Sequence, residues 1–211
     1  MAPTEFRAHP AYRIRTERLL IRCWEPQDAP LLNAALHASW DHLAPWMPWA
    51  RGPRPPLDDT VALLRRWRGD FDFDRDFVLG IFSPDASSVI GSTGLHTRRG
   101  PDVREIGYWI HVDHTNRGYA TETAAALTKV AFEIEGVRRV EIHCLPDNVH
   151  SAAVPRKLGY VHEATRRQYL QVDEDAYGDG MIWTMLRDEY PTSPAADVAV
   201  EAYDVLDRRL L

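Results

Sequence analysis

The spacing of apolar residues changes from strand-like to helical and back several times along this chain. An apolar run at 12–24 predicts a first strand. Apolar residues at helical spacing then predict two helices, one from Glu25 through Trp40 and one from Asp58 through Trp67. A stretch rich in tryptophan and proline separates them. The first third of the chain is therefore predicted as a strand followed by two helices.

Turn residues and strand-forming runs predict three further strands, at 76–83, 88–97 and 103–112. Short turns join them, with the sequences Pro-Asp-Ala and Arg-Gly-Pro. Strands connected so closely usually pair with their neighbours in the chain. The middle of the chain is therefore predicted as an antiparallel meander.

A long amphipathic helix is predicted after the meander. Asn116 is its predicted N-cap, and Gly136 lies just past the last apolar position of the helical pattern. A buried strand at 139–145 follows. Asn148 is then the predicted N-cap of a short helix that ends at Gly159.

Two last strands are predicted at 160–171 and 178–187. The order of elements predicts an α/β fold with one mixed, mostly antiparallel sheet flanked by helices. We divide the chain into an N-terminal extension at 1–11, one domain at 12–190 and a C-terminal segment at 191–211. That last segment begins as a linker and becomes weakly amphipathic. It predicts a helix docked on the domain or on a second subunit.

Composition narrows the class of protein. The 211 residues are 45% hydrophobic and 27% charged, which is typical of a soluble globular protein. The sequence shows no apolar run long enough to span a bilayer and no signal-peptide core at its start. Cys23 and Cys144 are far apart and form no Cys-x-x-Cys pair, so we expect free thiols in a reducing cytoplasm. The nine histidines lack metal-ligand spacing, so no metal site is expected.

Net charge bears on the partner. The value of −6 disfavours nucleic acid and is compatible with a cationic substrate such as an amine. We therefore expect no direct nucleic-acid or membrane partner.

The turn from Asn116 to Glu122 carries the first sign of chemistry. It joins a strand to a helix N-terminus, where unpaired backbone N–H groups and about half a positive charge favour an anion. Gly118 and Ala120 are small enough for a phosphate to approach the backbone. Neither a Walker loop nor Gly-x-Gly-x-x-Gly is present, which disfavours ATP, GTP and Rossmann-type dinucleotides. An ordinary strand–turn–helix with a tidy cap explains the turn equally well.

Six stretches in order resemble the GNAT superfamily of acetyl-CoA-dependent N-acetyltransferases. Within it, the chain is most similar to the enzymes that acetylate N-terminal alanine or serine of ribosomal proteins. The stretches are Thr16-Glu17-Arg18-Leu19-Leu20-Ile21-Arg22, Pro45-Trp46-Met47-Pro48-Trp49, Ile90-Gly91-Ser92-Thr93-Gly94-Leu95, Glu105-Ile106-Gly107-Tyr108-Trp109-Ile110, Arg117-Gly118-Tyr119-Ala120-Thr121-Glu122, and Asn148 to Tyr160. The resemblance covers roughly 12–190 and implies a single GNAT-like domain whose sheet is splayed at the cofactor site.

The resemblance implies acetyl-CoA as the cofactor. Its pyrophosphate would lie on the turn, and its pantetheine arm would run along the preceding strand. The implied cofactor-binding residues are Ile110, His111, Val112, Arg117, Gly118, Tyr119, Ala120, Thr121, Asn148 and Lys157. Thr115 stands where the family often has glutamine or arginine, whereas Gly118 and Ala120 match.

Acetyl transfer to an amine needs a neutral amine and a proton for the leaving thiolate. Deprotonation at pH 7 costs about 1 kcal/mol for an α-amine and about 4–5 kcal/mol for lysine. Glu105 is the predicted base, and an ion pair with Arg104 or Arg139 is the alternative. His143 shares a strand face with Glu141 and is a candidate for holding a water or the amine, or for a purely structural role.

Ser151 is the predicted acid for the thiolate. The alternative is local, because Asn148 as N-cap with Ser151 at the third helical position explains both residues without chemistry. Pro155 cannot donate to the carbonyl of Ser151, which leaves that oxygen free for water or cofactor. Direct attack by the amine is the family's usual route, which disfavours Cys144 as a nucleophile.

The acceptor cleft is expected between the N-terminal helices and the hairpin at 160–180. Trp46, Trp49 and Tyr108 are the predicted substrate-binding residues, although such tryptophans often lie in a core. The leading acceptor is a protein N-terminus of the ribosomal type. Alternatives are a small amine such as an antibiotic, polyamine or amino acid, or a sensor that binds acyl-CoA without turnover. The resemblance and the C-terminal segment also suggest a homodimer.

Overall fold

The computed structural model describes residues 10–211. The fold begins with a β-hairpin. Strands β1 (Arg13–Arg15) and β2 (Leu20–Cys23) pair antiparallel. Between them, Thr16 donates its N–H to the Leu19 carbonyl and accepts the Leu19 N–H on its hydroxyl. The single strand predicted at 12–24 is therefore wrong, because polar residues after Arg15 form a turn.

Two helices follow, as predicted. Helix α1 spans Ala29–Leu43 after a short 3-10 turn, and α2 spans Leu57–Asp72. Both bury their apolar side on one face of the sheet, which we call the acceptor face. The buried cluster there includes Trp24, Leu32 and Leu64. Apolar burial of this kind is the main stabilising contribution to such packing.

The predicted meander is confirmed. Strands β3 (Phe77–Phe82), β4 (Val89–His96) and β5 (Val103–Ile110) pair antiparallel in that order. Nearly every residue of β3 and β4 is buried, because helices cover both faces of the sheet at these strands.

Helix α3 spans Tyr119–Glu133 on the opposite face, which we call the helix-pair face. Its N-cap is Gly118 in the left-handed region, with φ of 82°. The prediction of Asn116 as N-cap is therefore wrong: Asn116 lies two residues earlier and also has a positive φ, of 60°. Gly136, with φ of 68°, lies just past the helix as predicted.

The remaining elements complete the sheet. Strand β6 (Arg139–Cys144) is parallel to β5, helix α4 (Val149–Lys157) lies on the helix-pair face, and strands β7 (Val161–Gln171) and β8 (Tyr177–Leu186) form a hairpin. Strand β8 pairs with β6, so β7 is the outer strand at that edge.

The C-terminal segment adds a ninth strand. Strand β9 (Glu201–Tyr203) pairs antiparallel with β1, and the sheet order is β7-β8-β6-β5-β4-β3-β2-β1-β9. The predicted linker and helix at 191–211 are thus corrected, because Ala195 and Ala202 are fully buried in the main core. Most of the predicted extension at 1–11 lies outside the described residues. Within residues 10–211, no helix has the length and apolarity needed to cross a bilayer.

Candidate active site

The sheet opens between β5 and β6. These parallel strands pair over three residues each, ending with Glu105 opposite Glu141. Strand β5 nevertheless continues to Ile110, and β6 continues to Cys144. The residues beyond the last pair border a gap. This is the splayed sheet that the resemblance implied.

Backbone groups of β5 face this gap at alternate residues. The N–H of His111 donates to Ile90 on β4, at 2.8 Å. Alternation along an antiparallel pair then directs the N–H and C=O of Tyr108 and Ile110 away from β4, toward β6. Past Glu105 the two strands no longer pair, so these groups form an edge to which an extended cofactor arm can bond.

His111 and Val112 do not share that edge. The carbonyl of His111 accepts the N–H of His114, and the N–H of Val112 donates to the buried hydroxyl of Ser39. Because their N–H groups have partners, the unpaired backbone groups are those of Tyr108 and Ile110. Cofactor contacts at Ile110, His111 and Val112 remain predictions.

The turn before α3 forms a cradle of backbone N–H groups. The first helical hydrogen bond runs from the Glu122 N–H to the Gly118 carbonyl, so the N–H groups of Tyr119, Ala120 and Thr121 have no partner within the helix. Arg117 is exposed beside them. A Cβ added at Gly118 would meet nothing nearer than 3.5 Å, so the space above the turn is open.

Arg18 contributes a guanidinium to the same turn. Its Nη1 donates to the Arg117 carbonyl at 3.0 Å and its Nε to Glu122 at 2.7 Å, and the group stacks on the Tyr119 ring. Arg18 was not predicted as a site residue, because a continuous strand was predicted where the β1–β2 turn places it. The turn is therefore flanked by two arginines and the positive end of a helix.

His114 lies beside the turn and has one ring nitrogen available for a hydrogen bond. Its Nδ1 is buried and has no hydrogen-bond partner among residues 10–211. Burial, and the nearby His111 and Arg117, lower the pKa of His114, which favours the neutral ring. Thr115 bonds through its hydroxyl to the Val112 carbonyl, so it supplies no long side chain to the cradle.

A pair of hydroxyls lies on the helix-pair face of the gap. The Tyr108 hydroxyl donates to the Ser151 carbonyl at 3.2 Å and lies 3.2 Å from the Ser151 hydroxyl. That carbonyl lacks its helical partner because Pro155 has no N–H. Burial raises the pKa of the Tyr108 hydroxyl, which keeps it protonated. The Ser151 hydroxyl also hydrogen-bonds to the Cys144 thiol, so it has partners on both β5 and β6.

Tyr108 therefore lies apart from the other two predicted acceptor residues. Trp49 contacts Trp40 of α1, with ring centroids 5.7 Å apart, on the acceptor face. The Tyr108 side chain instead lies on the helix-pair face, and its role in binding the acceptor stays a prediction. Cys144 shares that face, and burial raises the pKa of its thiol, which disfavours a thiolate nucleophile.

Two predicted cofactor residues lie on α4. Asn148 accepts the Ser151 N–H at 3.0 Å, which confirms its predicted capping role. Lys157 is exposed in the last turn of the same helix. Their contacts with a cofactor remain predictions.

An ionic cluster surrounds Glu105 on the acceptor face. Both Arg98 and Arg99 bond to the carboxylate, with Arg99 Nε at 2.7 Å. His143 Nδ1 lies 3.6 Å from Glu105 and 3.0 Å from Arg99 Nη2, and its Nε2 lies 2.8 Å from Glu141. The predicted catalytic residues Glu105 and His143 are thus neighbours, whereas Ser151 lies across the sheet. Neither Arg98 nor Arg99 was predicted as a site residue, because both belong to the turn between β4 and β5.

The N-terminal helices and the β7–β8 hairpin meet above this face. Arg51, in the loop after α1, bonds to Asp173 at the hairpin tip, at 3.2 Å. Trp46 and Trp49 belong to the same loop, and Trp49 is 47% exposed. Trp40, which contacts Trp49, is buried in the core. This ion pair therefore connects the two sides of the cleft expected between the N-terminal helices and the hairpin.

A groove continues from the cluster over β6, β8 and β7. Its cavity of about 380 Å³ is lined by Arg99, Val103, Arg138, Arg139, Glu141, Glu163, Ala164, Arg166, Tyr169 and Ile182. Helices α1 and α2 pack on β4 and β3. In residues 10–211, no helix covers the acceptor face at these three strands. Among residues 10–211, no group of three or more His, Cys, Asp or Glu side chains is arranged so that it could hold a metal ion.

These features define an acyltransferase of the GNAT class. The acetyltransferase (GNAT) domain family matches residues 18–161, and the chain belongs to it. A Bacillus subtilis protein named provisionally as a ribosomal N-acetyltransferase, YdaF, is 27% identical over 82% of this chain and 94% of its own length. The ribosomal protein uS5-alanine N-acetyltransferase of Escherichia coli is 22% identical over 78% and 86%.

A solved structure shows the same fold. RimJ of Mycobacterium smegmatis, in complex with CoA-disulfide, aligns with a TM-score of 0.76 at 23% identity, over 90% of this chain and 95% of that one. The family uses acetyl-CoA, and the residues present fit it. The open cradle at Gly118, the unpartnered Nδ1 of His114 and the unpaired edge of β5 are each features that such a cofactor would complete.

Proposed function

We propose that this N-acetyltransferase acts on the N-terminal α-amine of a protein, of the ribosomal type. The observation that carries the proposal is the open groove over β6, β8 and β7, which shares Arg99 and Glu141 with the ionic cluster around Glu105. An uncovered groove accepts an extended chain beyond the reacting amine. A small amine would need a more enclosed site for comparable affinity.

The relatives support this acceptor. Two of them carry ribosomal protein acetylation in their names. A cytoplasmic reaction on ribosomal proteins also agrees with buried, unpaired cysteines. The low cost of deprotonating an α-amine, about 1 kcal/mol at pH 7, means that a modest base suffices.

The residues divide the work between the two faces of the gap. Acetyl-CoA supplies the acetyl group as a thioester. The cradle at Gly118, with Arg18 and Arg117, binds the pyrophosphate, and the edges of Tyr108 and Ile110 align the arm. The Ser151 hydroxyl donates a proton on the helix-pair face. The amine enters on the acceptor face, under the loop that carries Trp46 and Trp49.

A peptide panel tests the proposal. Thiol release from acetyl-CoA is followed with peptides that begin with alanine or serine and contain one internal lysine. The matched control is the same peptide with a blocked N-terminus. We expect turnover only with the free N-terminus. Turnover of the blocked peptide would indicate lysine acetylation, and turnover of small amines alone would support the second candidate.

A further inference from the structure

His96 lies over β4 and β5, beside the gap, where two glycines leave room for its ring. It is the last residue of β4 and pairs with Glu105 in register. Its ring turns back over Gly94 and Gly107, which lie opposite each other. A Cβ at Gly94 would lie 2.9 Å from the His96 Nε2, and one at Gly107 would lie 3.2 Å from it. The paired glycines thus leave a slot that the imidazole occupies.

Asp76 fixes the orientation of this ring. The Nδ1 of His96 lies 2.8 Å from Asp76 Oδ2, and Asp76 Oδ1 accepts the Thr97 N–H at 3.2 Å. Burial opposes the charge of Asp76, but the hydrogen bond to His96 and the Thr97 N–H outweigh it and lower its pKa. An ionised carboxylate accepts the Nδ1 proton, so the lone pair resides on Nε2. In the described residues, Nε2 has no hydrogen-bond partner.

The free nitrogen points to the place where the sheet opens. Gly107 comes two residues after Glu105, where the pairing with β6 ends, and lies on the same strand face as Glu105. Trp109 is next on that face, below α1. The charged groups around His96 are Asp76 before β3, Arg98 after β4 and Glu105 on β5. Nε2 therefore lies on the acceptor face beside the gap.

We propose that His96, oriented by Asp76, is the general base that takes the proton from the acceptor amine. The C–N bond forms as the C–S bond breaks. The amine proton goes to Nε2, and the C–S electron pair goes to sulfur. The sulfur then takes a proton from the Ser151 hydroxyl, and solvent returns a proton to Ser151. The proton on His96 then leaves to solvent. The proposal rests on the N-acetyltransferase reaction and holds for any acceptor amine.

This assignment gives Glu105 a different task. Bound by Arg98 and Arg99, its carboxylate keeps these guanidinium groups and His143 in position beside the amine. His96 differs because one of its nitrogens is held and the other is free. That combination is what a general base requires.

Four variants test the proposal by kinetics. His96→Gln is expected to lower kcat about 100-fold, within the usual contribution of a general base, and to leave the Kd for acetyl-CoA unchanged. Asp76→Asn should lower kcat less. His96→Gly should regain activity when imidazole is added. His42→Gln, an exposed histidine of α1, is the matched control and should behave as wild type. Unchanged kcat in His96→Gln would overturn the proposal.

A readout independent of turnover uses ¹⁵N-histidine NMR. We expect His96 to carry its proton on Nδ1, and this tautomer to be lost in Asp76→Asn. A proton on Nε2 in the wild-type protein would contradict the proposal, because that nitrogen could not then accept another. The kinetic assays use whichever amine gives the fastest thiol release. If only small amines react, the peptide acceptor fails while His96 is still tested.

Discussion

At the scale of single residues, neighbours decide what a titratable group can do. Glu105 is buried, which by itself would raise its pKa, yet hydrogen bonding and charge from Arg98 and Arg99 lower it to about 2. A carboxylate with that pKa is ionised at every working pH and holds a proton weakly. The same sheet face offers His96, whose Nε2 has no such partner among residues 10–211. The surroundings therefore favour the imidazole for proton transfer and the carboxylate for positioning.

The low pKa of Glu105 predicts how the free energy of unfolding depends on pH. A group whose folded pKa lies below its unfolded value stabilises the fold above the unfolded pKa, and this contribution fades as pH falls toward the folded pKa. For a shift from 4.5 to about 2, we expect the stability difference between wild type and Glu105→Gln to shrink by about 2 kcal/mol between pH 7 and pH 3. Urea unfolding at both pH values measures it, with exposed Glu17→Gln as the control.

The kinetics of Glu105→Gln separate positioning from base catalysis. A positioning carboxylate remains ionised throughout, so its loss should lower kcat by the same factor from pH 6.5 to pH 9. A base becomes dispensable once the amine is already neutral. Recovery of the rate at high pH would therefore return the base role to Glu105.

Gly118 provides a second prediction at this scale. Its φ of 82° is costly for other residues, by roughly 1–2 kcal/mol, and a side chain would also intrude on the cradle. We expect Gly118→Ala to raise the Kd for CoA about tenfold, measured by calorimetry. Gly136→Ala, at the other end of α3 with φ of 68°, controls for backbone strain. An equal loss of CoA affinity in both variants would contradict the cradle assignment.

At the scale of elements, the acceptor cleft depends on two segments far apart in the chain. The loop after α1 and the tip of the β7–β8 hairpin are joined by the ion pair between Arg51 and Asp173. Exposed pairs contribute little to stability, typically below about 1 kcal/mol. We expect the pair of Arg51 and Asp173 to act by positioning, because it holds one wall of the groove against the other.

Charge reversal tests the positional role. We expect Arg51→Asp and Asp173→Arg each to raise KM for a peptide several-fold without changing the Kd for acetyl-CoA, and the double variant to restore KM. Neutralising the exposed pair of Arg54 and Asp41, away from the hairpin, is the control. A double variant as poor as the singles would show that the residues act separately.

Most of the fold follows from local sequence patterns. Most of the features that these patterns did not predict depend on contacts between distant segments. The meander and both α1 and α2 follow from periodicity that neighbouring residues share. The β1–β2 turn was not predicted because the four polar residues from Arg15 to Arg18 contain no glycine, proline, asparagine or aspartate that would mark a turn. Arg18 reaches Glu122, and His96 lies over Gly107, through contacts between distant segments. No spacing rule within one segment reveals such pairs.

At the scale of the whole molecule, the gap that forms the candidate site lies far from the strand that closes one edge of the sheet. The gap between β5 and β6 lies inside the sheet, with β6, β8 and β7 on one side and six strands on the other. Strand β9 closes the far edge, where β1 would otherwise expose unpaired backbone groups. Leu210 donates its N–H to the Ala202 carbonyl, and Arg13 pairs with Asp207, so the C-terminal residues fold over this edge.

Removing residues 200–211 should therefore weaken the fold and spare the gap. The deletion exposes β1 and removes the buried Val200, Ala202 and Asp204, which predicts a loss of about 2–4 kcal/mol in the free energy of unfolding. Strand β9 is five strands away from β5, so the folded fraction should keep its Kd for acetyl-CoA. Thermal unfolding and calorimetry on the same samples measure both quantities. A matched variant, Ala202→Asp in the full chain, places a charge in the same contact and should destabilise without shortening the protein. A deletion that abolished CoA binding while leaving the protein folded would show that the C-terminal strand supports the cofactor site, against the separation that the sheet order predicts.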